Sequence, residues 1–153
     1  MSMNRREFFT RLGKTLAFAT VCASLPRAVL ASWNKEAFAA ETLDQAIAAR
    51  YPGLAIEDSD AVKLKAPTIA ENGSVVPISV STSLEGVTSI SVFVEKNPAP
   101  LAASFHLSPL SVADVSIRIR MGETSQLITL VESQGKLYRA QQEVKVTIGG
   151  CGG

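Results

Sequence analysis

Val87-Thr88-Ser89-Ile90-Ser91-Val92-Phe93-Val94-Glu95 carries the period that decides the fold. Ile90, Val92 and Val94 alternate with Ser89, Ser91 and Phe93. Successive side chains of an extended chain point to opposite faces, so this alternation marks a strand with one face in a core. The same period recurs further along. Val76, Ile78 and Val80 alternate with Ser79 and Ser81; Val115, Ile117 and Ile119 with Ser116, Arg118 and Arg120; Val144, Val146 and Ile148 with Lys145 and Thr147. Strands are predicted at 61–65, 75–82, 87–95, 103–107, 113–120, 125–132 and 136–148. The intervals carry turn chemistry: Glu71-Asn72-Gly73, Glu85-Gly86, Asn97-Pro98-Ala99-Pro100, Met121-Gly122-Glu123 and Ser133-Gln134-Gly135-Lys136. Half-buried strands joined by frequent turns, with no helices between them, predict an all-β fold, an immunoglobulin-like antiparallel β-sandwich.

Upstream, Phe38, Leu43, Ile47 and Tyr51 recur at helical spacing, and Pro52-Gly53 ends the run. One helix over 33–51 is expected, packed on the sandwich as a surface helix; the alternative is a helix reserved for a partner protein. The sandwich itself says nothing about function.

The chain has 153 residues, 46% hydrophobic and 19% charged, which suits one compact domain. No internal repeat and no second domain is visible. The beginning reads as an export signal. Arg5-Arg6-Glu7-Phe8 precedes an apolar run from Leu12 to Leu25, then Pro26 and the small-residue pattern Val29-Leu30-Ala31. The Arg-Arg-x-Phe core makes residues 1–31 look like a twin-arginine signal peptide, which places the mature chain, 32–148 plus the arm, in the periplasm. Ala37-Phe38-Ala39 is a second candidate cleavage site. The apolar run is too short to span a bilayer, so no membrane attachment is expected after cleavage.

Cleavage after Ala31 leaves ten basic and thirteen acidic residues, a net charge of −3. No basic patch survives, which argues against nucleic-acid binding. Cys22 lies within the signal, and Ala19-Thr20-Val21 before it makes a poor lipoprotein site. Cys151 is then the only cysteine of the mature chain. A lone cysteine in an oxidising compartment implies intermolecular pairing or a reactive free thiol.

Cys151 stands between Gly149-Gly150 and Gly152-Gly153. Glycine pairs leave the backbone unrestricted and give the thiol no walls, so residues 149–153 read as a flexible arm. The three residue steps from Ile148 to Cys151 extend it roughly 10 Å from the last predicted strand. Neither Lys, Arg nor His flanks the thiol to activate it. That suits a group that is quiet in transit and activated inside a visited active site.

Other chemistry is thinly represented. His106, the single histidine, lies between Phe105 and Leu107 on a predicted strand and reads as structural or surface-exposed. With one His and one mature Cys, a tetrahedral metal site lacks ligands. Glu57, Asp58 and Asp60 read as a solvated loop cluster. No phosphate-binding glycine loop and no hydrolase triad spacing is found.

Several of these stretches together resemble the SoxY family, the sulfur-carrier subunit of the bacterial Sox thiosulfate-oxidising system. The resemblance rests on residues 144–153, ending Gly149-Gly150-Cys151-Gly152-Gly153, on 69–77 (Ile69-Ala70-Glu71-Asn72-Gly73-Ser74-Val75-Val76-Pro77), on 95–101, on Gly135-Lys136-Leu137-Tyr138, and on the twin-arginine signal. It implies a carrier rather than an enzyme, with no cofactor and no metal. Cys151 would be the site of covalent sulfur attachment, and Gly149, Gly150, Gly152 and Gly153 the flexible arm. It further implies a heterodimer with a SoxZ-like subunit. A c-type cytochrome enzyme would couple thiosulfate to the thiol, a hydrolase would release sulfate, and further enzymes would oxidise or move the remaining sulfane sulfur.

Two other readings are compatible with parts of the chain. A β-sandwich binding or structural module could use its lone cysteine for an intermolecular disulfide, including a disulfide-linked homodimer. A ubiquitin-like carrier would instead bear sulfur on the Gly152-Gly153 carboxylate, but that chemistry needs cytoplasmic ATP and the signal argues for export.

Overall fold

The computed structural model describes residues 34–147. The predicted signal peptide, Trp33, Ile148, Cys151 and the arm glycines Gly149, Gly150, Gly152 and Gly153 lie outside the described residues.

Two sheets face each other as an immunoglobulin-like sandwich. In the smaller, β4 (Val76–Thr82) lies between β2 (Val62–Lys65) and β7 (Asp114–Ile119), antiparallel to both. In the larger, the order is β1 (Ile56–Asp58), β9 (Lys136–Val146), β8 (Ser125–Ser133), β5 (Val87–Val94) and β6 (Leu101–His106). A short β3 (Ile69–Ala70) also pairs with β9. Val76, Ile78 and Val80 of the smaller sheet pack against Ile90, Val92, Val94, Leu127, Val131 and Val144 of the larger, and all are buried. Apart from Leu127 and Val131, these are residues whose alternation predicts the strands, and the seven predicted strands are present.

Much of the other face of the larger sheet is buried as well. Helices α1 (Lys35–Ala39) and α2 (Leu43–Arg50) cover it, and Ala37, Ala46 and Tyr51 pack on Phe93, Leu101, Ile128, Leu130 and Leu137. The expectation of half-buried strands therefore holds for β4 and fails for β5 and β8. The alternation assigns Ser89, Ser91 and Phe93 to the outward face of β5, yet all three are buried. The helical layer converts a two-layer sandwich into three layers.

The buried serines find partners beneath α2. The Tyr51 hydroxyl lies 3.0 Å from Ser89 Oγ and 2.8 Å from Ser91 Oγ. Ser91 Oγ also meets Ser104 Oγ at 2.9 Å, and Ser89 Oγ donates to Glu132 Oε2 at 2.8 Å. Burial pushes the Tyr51 phenol above its ordinary pKa, although both serine contacts oppose the shift. Among the described residues no buried side-chain polar atom lacks a partner, as the low dielectric of an interior demands.

The single predicted helix over 33–51 is two helices. Ala40 is extended (φ −64°, ψ 138°), and Thr42, also extended, restarts the helix by accepting a hydrogen bond from the Gln45 amide. Asn34 caps α1 in the same way through the Ala37 amide. Apolar spacing spans such a break without registering it, whereas the Thr42 cap marks where the second helix begins. The expected packing of this segment on the domain is what the structure shows.

β1 and β3 lie outside the predicted strands. Both run parallel to β9, so the sandwich is not wholly antiparallel. Strands of three and two residues are too short to display alternation, and their pairing comes from β9. Glu57 and Asp58 consequently lie in strand β1 rather than in the solvated loop expected of them. Lys136 Nζ meets Glu57 Oε1 at 3.0 Å, and Arg139 holds Asp58 through two hydrogen bonds of 2.7 and 3.0 Å. The Arg139 hydrogen bonds hold the Asp58 carboxyl below its ordinary range.

His106 is exposed at the end of β6, its Nε2 3.5 Å from Arg50 Nη2, a surface histidine as expected. Among the described residues there is no cluster of three or more His, Cys, Asp or Glu side chains that could hold a metal. No described helix is long and apolar enough to cross a membrane.

Candidate functional site at the root of the C-terminal arm

The predicted site, residues 149–153, is separated from the end of β9 by two residues in the chain. What the structure shows is how that strand is held up to Thr147, the last described residue.

β9 is the longest described strand and is tied along nearly all of its length. β8 pairs with it antiparallel from Ser133↔Lys136 to Ser125↔Val144. On its other side β1 pairs at the beginning and β3 at the end, with Ile69↔Lys145 and Ala70↔Val146 in register. The last three described amides are all bonded. Lys145 N donates to Thr68 O at 3.0 Å, Val146 N to Thr124 Oγ1 at 3.0 Å, and Thr147 N to Ala70 O at 3.1 Å. Thr147 Oγ1 also reaches Ala70 O at 3.4 Å. Val144 is fully buried and Val146 half-buried against the core, as their alternation predicts.

Two turns lock this end of the sandwich. In the Asn72-Gly73 turn, Ser74 N donates to Asn72 Oδ1 at 2.9 Å, and Met121 N donates to Gly73 O at 2.7 Å. A side chain at position 73 has no room: a Cβ there would overlap the Met121 carbonyl oxygen and come within 2.8 Å of Val146 Cγ1. The Asn97 side chain bridges the second turn to the β7–β8 connection, donating to Arg120 O at 2.8 Å and accepting from Gly122 N at 3.1 Å. That connection carries Thr124, whose hydroxyl holds Val146. A shallow cleft of about 200 Å³ beside the root is lined by Glu71, Gly73, Arg120, Met121, Val146 and Thr147, among others.

Of the residues predicted to form the site, Cys151 and its four glycines lie outside the described residues. Among the described residues neither cysteine nor histidine lines the root cleft. Of the stretches on which the resemblance rests, 69–77 and 95–101 meet here. Gly135 to Tyr138 lies at the opposite end of β9. The clamp formed by Ala70, Gly73, Asn97 and Thr124 is not legible in the sequence. Asn72-Gly73 and Asn97 register there as turn residues, which they are, and only the fold shows what the turns hold.

Comparison with known proteins bears on most of the chain. Residues 47–151 match the family described as sulfur oxidation protein SoxY. Among solved structures, the sulfur carrier protein SoxY from Chlorobium limicola f thiosulfatophilum is 50% identical, with 70% of this chain and 97% of that chain covered, at a TM-score of 0.65. A superoxide reductase (neelaredoxin) from Ignicoccus hospitalis aligns at a TM-score of 0.54 over 60% of this chain and 94% of its own, but at 15% identity it shares the fold alone. No curated protein matches. A family match over most of the chain, together with half-identity to a solved member, establishes that the chain belongs to the SoxY family of sulfur oxidation proteins.

Proposed function

We propose that this protein is a periplasmic carrier that binds sulfur intermediates of thiosulfate oxidation covalently on the Cys151 thiol and presents them to partner enzymes. The observation that carries the reading is the family match, which runs through position 151 and so includes the glycine-flanked cysteine. The rooted strand supports it. A body held rigid up to Thr147, followed by Gly149 and Gly150, suits delivery of one thiol to several active sites.

In the proposed cycle the Cys151 sulfur and the sulfane sulfur of thiosulfate form an S–S bond, and two electrons leave to the c-type cytochrome enzyme that couples them. Hydrolysis then releases the terminal sulfone as sulfate and leaves sulfane sulfur on the cysteine for further enzymes. The chain itself catalyses none of these steps: it supplies the attachment atom and its mobility. Residues 1–31 act as the twin-arginine signal, residues 149–153 as the arm, and a SoxZ-like subunit as the constant companion.

The test is intact mass and C-terminal peptide mass after incubation of the heterodimer with thiosulfate and the coupling enzyme. A sulfur adduct on wild-type Cys151, absent from a folded Cys151→Ser variant, is the expected result. An unmodified wild-type thiol, or a disulfide-linked homodimer as the sole product, counts against the carrier reading. Gly152→Val is expected to load more slowly at unchanged stability, because a side chain beside the thiol widens the arm that must enter the active site.

A further inference from the structure

Five large apolar side chains are exposed among the described residues: four fall in two groups at opposite ends of the sandwich, and the fifth, Ile56, is the least exposed and lies on β1 opposite Leu137. Leu110 and Val112, 97% and 82% exposed, lie in the β6–β7 connection. That connection sits at the Lys136 end of β9, as the Thr82 N to Ala113 O and Leu107 N to Thr88 O bonds and the Val87↔Ser133 pair show. Ile69 and Val75, 56% and 51% exposed, flank the Asn72-Gly73 turn at the Thr147 end. From Lys136 to Val146 the strand spans about 33 Å.

The position of the cysteine separates the two groups. Cys151 is four residue steps beyond Thr147, so even a fully extended arm carries it no more than about 14 Å from that residue. An active site working on the thiol must therefore be brought to the Thr147 end, while a protein seated on Leu110 and Val112 stays out of reach. Around Ile69 and Val75 the surface is charged, with Glu71 and Arg120 exposed beside the root cleft. Apolar contacts within a charged rim, over a small area, match the anatomy of a weak and transient interface.

We infer that the Ile69–Val75 rim is the docking face for the sulfur-processing enzymes, proteins whose active-site channel admits a cysteine-bound sulfur oxyanion and whose channel mouth seats against these two side chains. The inference rests on the carrier reading above. Each enzyme in turn uses the same rim, because each must reach the same short arm.

The experiment is steady-state loading of Cys151 by the thiosulfate-coupling enzyme, with the concentration of the heterodimer varied and product read by intact mass. Ile69→Glu and Val75→Glu change side chains that are more than half exposed, and thermal melts verify folding; Ile69→Ser or Val75→Ser replaces the variant at its own position that fails. The expected result is a rise in the KM for the carrier of about tenfold at unchanged kcat, with Leu110→Glu at the far end unchanged. Unaltered KM in both rim variants overturns the proposal, as does an equal rise for Leu110→Glu. Loss of the companion subunit from the rim variants also overturns it, since the rim would then be the permanent interface. A wild-type chain that takes up no sulfur instead removes the carrier reading beneath it, so the two failures are distinct.

Discussion

Val146 Cγ1 lies 2.8 Å from the point where a Cβ on Gly73 would stand. The turn and the end of β9 are in close contact, and the absence of a side chain at position 73 permits it. Gly73→Ala forces either the Met121 carbonyl or Val146 to move. Overpacking of this kind costs about 1–3 kcal/mol, to be measured by chemical denaturation. Amide exchange of Val146 and Thr147 should accelerate beyond that of β8, which keeps its own pairing; equal protection would show that the turn does not hold the root.

The Tyr51 hydroxyl ties the helical layer to β5 through Ser89 and Ser91. Tyr51→Phe keeps the ring and loses both contacts, at a cost of about 1–2 kcal/mol, since each serine retains another partner. Burial raises the folded phenol above its unfolded value, so Tyr51 stabilises the fold fully below that unfolded value. The contribution is lost as pH rises through the folded value. Wild type should lose stability at strongly alkaline pH more steeply than Tyr51→Phe, with phenolate absorbance reporting the titration.

Asp58 is held below its ordinary pKa by Arg139, and the folded value lies under the unfolded one. Its stabilising contribution is present above the unfolded value and fades as pH falls through the folded value. Both side chains are solvent-facing, so the effect on global stability is small. Arg139→Ala should return the Asp58 carboxyl to the ordinary range in a carbon-detected titration while barely moving the melting temperature. A large loss of stability would mean that the pair holds β1 in place.

Val92 and Phe93 are neighbours on β5 that point into different cores, one between the sheets and one beneath the helices. Phe93→Ala should cost about 3–5 kcal/mol, as expected of a fully buried ring. A loss of only a few tenths would mean that the helical layer does not seal this face.

The strands are legible because alternation is local: Ile78 and Val80 declare an inward face without reference to any distant residue. β5 is legible as a strand but not in its burial. Ser89 and Ser91 are polar, and polarity reads as outward unless a partner such as Tyr51, 38 and 40 positions away, is known. The helical segment is visible as apolar spacing, while its division at Ala40 depends on one backbone torsion and one cap. Glu57 and Asp58 give no strand signal, since their pairing partners lie about eighty residues later.

By itself the sequence determined the period of the strands, the turn positions between them, and the isolation of one cysteine between glycine pairs, because each depends only on neighbouring residues. The tertiary structure decided that a helical layer would cover the second face of the larger sheet, that β1 and β3 would flank β9, and that Ala70, Gly73, Asn97 and Thr124 would clamp the end of β9. These outcomes rest on contacts between residues far apart in the chain, whose energies exist only once the fold has brought them together.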